Sequence, residues 1–155
     1  MDVFEPCDTA YRVNLMDIDL NLHMNNGRYF SIMDLARFDL LYRAGVFGTL
    51  FKTGHFPIVA SESIRFRKSL KPFQKFIVRT QIISWDEKDF FVSQKFISKG
   101  KLYGEGFIKG RFKKKGVGSV PTKDVFKVLG KQYEGPSMLP LAKKQAEIES
   151  LLATD

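Results

Sequence analysis

The stretch GRYFSIMDLARFDLLYRAGV, residues 27–46, decides the fold of this chain. Its apolar residues recur every three or four positions, and further apolar residues widen that side of the predicted helix. Its charges form two pairs at helical spacing, Asp34 with Arg37 and Asp39 with Arg43, which suit a narrow exposed side. A helix with so wide an apolar surface requires a curved sheet to wrap it. The apolar residues are Tyr29, Ile32, Met33, Leu35, Ala36, Phe38, Leu40, Leu41 and Ala44.

The residues around this helix predict an antiparallel sheet. One strand is predicted before the helix, over 9–16, and four after it, over 57–69, 76–85, 90–98 and 102–114. Asn25 or Asn26 can cap the helix start and Gly45 its end. Glycines 104, 106 and 110 share a face of the last strand, where they let another backbone or helix approach closely. The predicted fold class is α+β.

The chain's length and end sequences bound its organisation. The 155 residues predict one domain over 1–155, with a core of about 8–114 and a helical tail of about 121–153. That tail holds two predicted helices, over 122–130 and 137–153. No apolar run is long enough to span a membrane, and the N-terminus does not resemble a signal peptide. Cys7 is the only cysteine, so a cytoplasmic protein without disulfides is expected.

The charge of the chain favours polyanionic partners. Its formal charge is +8, from 25 Lys and Arg against 17 acids. The densest basic run, GRFKKKG at 110–116, has no nucleic-acid motif beside it and reads as a solvated strand end. We therefore expect no nucleic-acid partner, and consider instead an anionic membrane surface or a phosphate-rich small molecule.

The segment DIDLNLHMNN, residues 17–26, is the candidate site. Asp19, Asn21 and His23 recur with period two, which in extended backbone places them on one side and Leu20, Leu22 and Met24 on the other. A carboxylate, an amide and an imidazole together can act as a general base with orienting partners. The alternative is structural, because Asp and Asn also stabilise turns and caps. A metal site is not expected, since His55 is the only other imidazole.

DIDLNLHMNNGRY, before a long helix and four strands, resembles the hotdog-fold thioesterases. The pattern is similar to plant-type acyl-ACP thioesterases and, more loosely, to 4-hydroxybenzoyl-CoA thioesterase. LARFDLLYRAGV and SLKPFQKFIVRTQIISWDEKDFFVSQKF resemble most closely the group called thioesterase superfamily member six. The resemblance covers about residues 8–114. It implies about five strands around one central helix, a homodimer or homotetramer with sites between subunits, and hydrolysis of an acyl-CoA or acyl-ACP thioester in fatty acid metabolism without a cofactor.

The resemblance also implies the roles of particular residues. Asp19 matches the catalytic acid, as general base or nucleophile, and Asn21 and His23 match the Asn and His of the acyl-ACP enzymes. Those enzymes carry a further Glu where this chain has Ser69, so a second carboxylate is in doubt. Glu62 is an unaligned candidate for it, and is otherwise a carboxylate tilted to solvent at a strand bulge.

The chemistry of a thioester assigns the remaining candidates. Backbone amides near Asn26 and Gly27 suit an oxyanion, and Tyr29 and Met33 would line an acyl channel. A basic set, Arg65, Arg67, Lys68 and Lys71, would bind the nucleotide end of coenzyme A. Two other functions stay open: a hotdog protein that binds acyl thioesters without turnover, and a hotdog dehydratase.

Overall fold

The computed structural model describes residues 1–131 together with Lys143 and Glu147. Within this part of the chain one antiparallel sheet has the order β1-β3-β4-β5-β2, and β6 pairs with the end of β5. The predicted α+β class with a sheet around one long helix is confirmed. The elements are β1 (Cys7–Arg12), α1 (Asn26–Arg43), α2 (Phe47–Lys52), β2 (His55–Phe66), β3 (Lys75–Trp85), β4 (Asp89–Ser98), β5 (Lys101–Lys114), β6 (Gly118–Ser119) and α3 (Thr122–Val128).

Helix α1 begins and ends where its capping residues predict. The side chain of Asn25 accepts from the N–H of Gly27 at 2.8 Å. At the other end Gly45 has a φ of +70°, and its N–H donates to the carbonyl of Tyr42 at 3.0 Å. The N–H of Val46 donates to the carbonyl of Leu41 at 3.2 Å, which completes a Schellman motif. The capping residues therefore set the helix length.

The sheet covers a narrower side of α1 than the sequence predicts. Tyr29, Met33, Ala36 and Leu40 are among the residues that the helix buries against the sheet. Leu35 and Phe38, which widen the apolar side in the sequence, are each 55% exposed. The sheet therefore packs on the side of the helix that carries the buried residues, and Leu35 and Phe38 belong to the exposed side together with the charged residues.

The glycines of β5 make room for neighbouring side chains. A Cβ at Gly106 would overlap the terminal methyl of Met33 from α1, and one at Gly110 would overlap the ring of Phe90. The predicted close approach is confirmed for the helix, although side chains rather than backbone occupy the space.

Several boundaries differ from the sequence prediction. Strand β1 ends at Arg12 because a 3-10 turn over Leu15–Asp17 follows, in which the Asp17 carboxylate accepts from the N–H of Asn14 at 2.9 Å. The short elements α2 and β6 were not predicted. The first predicted tail helix is α3, and the second lies outside the described residues apart from Lys143 and Glu147. No helix of the described part is both long and apolar enough to cross a membrane.

Candidate active site

The segment before α1 folds as a tight turn. The N–H of Asp19 donates to the carbonyl of His23, and the N–H of Leu22 donates back to the carbonyl of Asp19, both at 3.0 Å. Asp19 Oδ1 accepts from the N–H of Asn21 at 2.9 Å, and Leu22 has a φ of +59°. The predicted extended backbone is therefore wrong, and its period-two arrangement does not hold, since Met24 is buried beside His23 while Leu22 is exposed.

The turn nevertheless brings the three predicted catalytic side chains to one polar pocket. Asp19, Asn21 and His23 all line it, although by chain reversal rather than by strand alternation. The pocket has a volume of about 280 Å³ and lies between this turn, the start of α1 and the end of β2. Its lining residues are Asp19, Asn21, His23, Met24, Asn26, Tyr29, Phe66, Arg67, Lys68 and Ser69.

The two aspartates of the turn have different surroundings. Asp17 is 5% exposed, and its carboxylate accepts from Arg28 Nε at 2.8 Å and from the N–H of Asn14. Asp19 is half-buried in the pocket wall, and one of its oxygens accepts the turn bond from Asn21. Asp17 therefore braces the turn, whereas Asp19 Oδ2 faces no hydrogen-bond donor of the described residues.

The start of α1 offers one backbone donor to the pocket. Because Asn25 caps the N–H of Gly27, the expectation that Gly27 helps to bind an oxyanion is wrong, and Gly27 does not line the pocket. The N–H of Asn26 donates to no atom of the described residues. Tyr29 anchors this helix turn, with its ring 4.9 Å from that of Phe66 and its hydroxyl bonded to the backbone of Leu70. Burial raises the pKa of Tyr29, which keeps the phenol neutral.

Four other predicted site residues lie away from the pocket. Met33 is fully buried between α1 and strand β5, so no acyl channel opens along Tyr29 and Met33. Glu62 does not line the pocket, and it is not tilted to solvent, because it forms an ion pair with Arg37 at 3.1 Å. Arg65 and Lys71 are exposed outside the pocket lining, whereas Arg67 and Lys68 belong to it.

A buried polar network holds Arg37 in place. Arg37 donates to the side-chain oxygen of Gln94 at 2.8 Å and also pairs with Asp34 and Glu62. Gln94 donates in turn to the carbonyl of Met33 and to the hydroxyl of Thr80. The predicted pair of Asp34 with Arg37 is confirmed, whereas the partners of Arg37 from β2 and β4 are not visible in the sequence.

A second cavity lies beside the later half of α1. It is apolar apart from Asp34 and Arg37 and has a volume of about 110 Å³. Its walls come from α1 and from β2 to β5, and residues of all these elements line it: Phe38, Leu40, Leu41, Pro57, Ile58, Val59, Ile82, Phe90, Val92, Ile108, Gly110 and Phe112. The sequence did not predict this cavity, and its only signal there was the glycine stripe of β5.

Comparison with known proteins assigns the family. The family model described as the thioesterase-like superfamily matches residues 13–127, which include the turn, α1 and every strand of the sheet except β1. The chain belongs to this superfamily. Protein THEM6 of Xenopus laevis is 32% identical over 120 residues, which are 77% of this chain and 57% of the relative. Protein THEM6 of Danio rerio is 42% identical over 97 residues, 63% of this chain and 46% of that relative.

The solved structures of thioesterase-like proteins have the same fold. A gentisyl-coenzyme A thioesterase, BH1999, superposes with a TM-score of 0.70 at 20% identity, over 78% of this chain and 99% of that chain. The predicted hotdog fold and the resemblance to thioesterase superfamily member six are confirmed. The chain spans about half the length of the curated relatives it matches, 57% and 46% for the two given above.

No group of three or more His, Cys, Asp or Glu side chains among the described residues is arranged to hold a metal ion. The polar side chains that line the pocket are one carboxylate, one imidazole, two amides, one phenol, one hydroxyl and two cations, and the backbone N–H of the lining residue Asn26 has no partner among the described residues.

Proposed function

We propose that this chain hydrolyses the thioester of an acyl-CoA, or of an acyl carrier protein, to a free acid and a thiol without a cofactor. The observation that carries the proposal is the convergence of Asp19, Asn21 and His23 on one pocket at the start of α1. Membership of the thioesterase-like superfamily supports it. We place this reaction in acyl-CoA and fatty acid metabolism in the cytoplasm.

The pocket residues divide the chemistry between them. Asp19 Oδ1 is held by the N–H of Asn21, so Oδ2 either takes the proton of an attacking water or attacks the carbonyl carbon itself, in which case water then hydrolyses the resulting anhydride and regenerates the carboxylate. The N–H of Asn26 lies at the positive end of the helix and stabilises the oxyanion that forms. When the C–S bond breaks, His23 supplies the proton to the thiolate. Asn21 orients the water.

The basic rim of the pocket suits the phosphates of coenzyme A. Arg67 and Lys68 line the pocket directly after β2, and both backbone N–H groups donate to the carbonyl of Tyr103, at 2.9 and 3.0 Å. These two hydrogen bonds fix the backbone at Arg67 and Lys68, and therefore the direction in which both side chains project from the end of β2. Arg65 and Lys71, also expected to bind coenzyme A, are too far along the strand and the next turn to line the pocket, and we assign them no part.

We infer that the acyl group reaches its cavity across a homodimer. Within one protomer the polar pocket and the apolar cavity share no lining residue. Strand β2 has 12 residues and is an edge of the sheet that the described residues form, where no other strand pairs with its outer side. Antiparallel pairing of two β2 strands about a twofold axis brings the cavity rim at Pro57 and Val59 of one protomer towards the pocket at Phe66 of the other.

Two variants on opposite sheet edges test the dimer. Ala60→Asp adds a charge to β2, and Ala10→Asp adds the same charge to the exposed side of β1, the other edge. In light scattering we expect wild type and Ala10→Asp to have at least dimeric mass and Ala60→Asp to be monomeric and inactive. A monomeric wild type at micromolar concentration would contradict the dimer.

Binding without turnover is the second candidate function. Asp19 already serves the turn, and no other carboxylate lines the pocket, since Ser69 stands where an acid is expected and Glu62 is paired with Arg37. A dehydratase is a weaker third candidate, because it needs a base at the substrate's α-proton rather than a bound water.

Thiol release from a panel of acyl-CoA substrates separates these functions. Hydrolysis releases coenzyme A thiol and free acid in equal amounts, hydration of an enoyl-CoA consumes the double bond without thiol, and a binding protein does neither. We expect thiol and acid to appear together. Saturable binding of acyl-CoA without thiol release would show that the chain is a carrier.

A further inference from the structure

The end of the molecule opposite the polar pocket carries exposed apolar and basic side chains together. Here the segment after α2 meets the turn between β5 and β6, because the N–H of Lys115 donates to the carbonyl of Gly54 at 2.9 Å. Lys114 pairs with His55 across the two strands. We call this the α2–turn surface and define it by six residues: Phe51, Lys52, Lys113, Lys114, Lys115 and Val117.

The apolar members of this surface project into solvent. Phe51 is 80% exposed in the last turn of α2, and Val117 is 68% exposed at the tip of the β5–β6 turn. The N–H of Gly54 donates to the carbonyl of Phe51, which connects the phenylalanine to the residue that receives Lys115. A lone exposed apolar residue is ordinary, but two that flank a lysine run make a candidate contact surface.

The surface has no carboxylate of its own. The two chain segments that supply this surface, residues 40–61 and 106–123, contain no Asp or Glu. The ion pairs of the described residues leave Lys52 and residues 113–115 without a carboxylate partner. The electric field of this region acts on His55 beneath it, where burial and the adjacent Lys114 both lower the pKa of the imidazole.

Charge decides which partner fits. An isologous contact between two copies of this surface would bring the lysine runs together, and lysine is depleted from the buried parts of protein interfaces. Lysines around exposed Phe and aliphatic side chains instead match the boundary of an anionic lipid layer, where the cations meet phosphates and the apolar tips enter the headgroup region.

We propose that the α2–turn surface docks this protein on an anionic membrane surface. Lys52 and residues 113–115 contact lipid phosphates, and Phe51 and Val117 insert between headgroups. Helix α1 has 18 residues and is therefore about 27 Å long, so the polar pocket at its start stays open to water when its other end faces the lipid. This inference does not depend on the proposed hydrolysis.

Vesicle co-sedimentation of the purified chain tests the proposal. We expect binding to phosphatidylcholine–phosphatidylserine vesicles, little binding to phosphatidylcholine alone, and a loss of binding as salt rises. Removing one lysine near an anionic surface weakens binding about fivefold, so the triple variant Lys113→Ala, Lys114→Ala, Lys115→Ala should bind about a hundredfold more weakly. Phe51→Ser should also weaken binding to the mixed vesicles.

A second triple variant controls for net charge. Lys75→Ala, Lys101→Ala and Lys127→Ala remove the same charge from exposed sites elsewhere and should bind nearly as wild type. All variants should keep the melting temperature of wild type, because their side chains are exposed or nearly so. Equal weakening by both triple variants, no binding of wild type to the mixed vesicles, or tighter binding to an oligonucleotide that the first triple variant abolishes would overturn the proposal.

Discussion

The two halves of helix α1 border very different spaces. The first half, with Asn26 and Tyr29, borders a polar pocket whose catalytic candidates come from the ten residues just before it. The second half, with Leu40 and Leu41, borders an apolar cavity built from four strands that are distant in sequence. The catalytic candidates are therefore encoded within one short segment, whereas the space that we assign to the acyl group depends on the packing of the whole sheet.

Turnover should be most sensitive to a change at the polar pocket beside the first half of α1. Asp19→Asn removes the charge but keeps an oxygen that can accept the turn bond from Asn21, so folding should persist. We expect kcat for acyl-CoA hydrolysis to fall by about 10²–10⁴-fold, the usual cost of losing a positioned base. Steady-state thiol release measures it, and the melting temperature of the variant serves as the control.

The neighbouring carboxylate should affect stability instead. Asp17→Asn weakens the bonds from Arg28 and Asn14 to a buried group, so the free energy of unfolding should fall by about 1–3 kcal/mol in urea titrations. Turnover per folded molecule should stay near wild type. Asp124→Asn changes an exposed carboxylate of α3, and this matched control should cost less than about 1 kcal/mol. Equal losses in the two variants would contradict a bracing role for Asp17.

The apolar cavity beside the second half of α1 should be sensitive to added side-chain volume. Gly110→Ala drives a methyl into the ring of Phe90 at the cavity wall, so we expect about 1–2 kcal/mol of destabilisation and the largest loss of kcat/KM on the bulkiest acyl groups. Gly106→Ala meets the flexible end of Met33 and should cost less. An equal loss of kcat/KM for all acyl groups would show that the cavity does not select the substrate.

The basic rim should have the smallest effect. Arg67→Ala removes one exposed cation from the pocket, so KM for acyl-CoA should rise about two- to fivefold while kcat is kept. Arg65→Ala, on the same strand but outside the pocket, is the control and should leave KM unchanged. The difference in KM between the two variants should become smaller at high salt, and it should be absent when the substrate is acyl-pantetheine, which lacks the nucleotide.

Much of the fold could be predicted because its determinants are local. The spacing of apolar residues in α1, its Asn25 cap and its Gly45 stop act within a few residues, and strand alternation does the same. The short α2 and β6 escaped prediction, since six and two residues are too few to show a period.

The candidate site was predicted in part, for a physical reason. Asp19 and His23 were predicted from residue type, from their spacing and from the resemblance to the acyl-ACP thioesterases, and the chemistry of these side chains does not require an extended backbone. The positive φ of Leu22 and the bond from Asn21 to Asp19 reverse the chain, and neither is visible as periodicity. The pairing of Glu62 with Arg37 joins two elements 25 residues apart, which only the folded structure brings together.

If Asp19 performs the chemistry as we propose, the pocket should bind substrate without its carboxylate. The direct measurement is equilibrium binding of an acyl-CoA to Asp19→Asn protein, with thiol release followed in the same sample. The account predicts a Kd close to the wild-type KM and almost no released thiol. Full thiol release by Asp19→Asn would contradict it, because the motif would then be a turn that stabilises the start of α1 and nothing more.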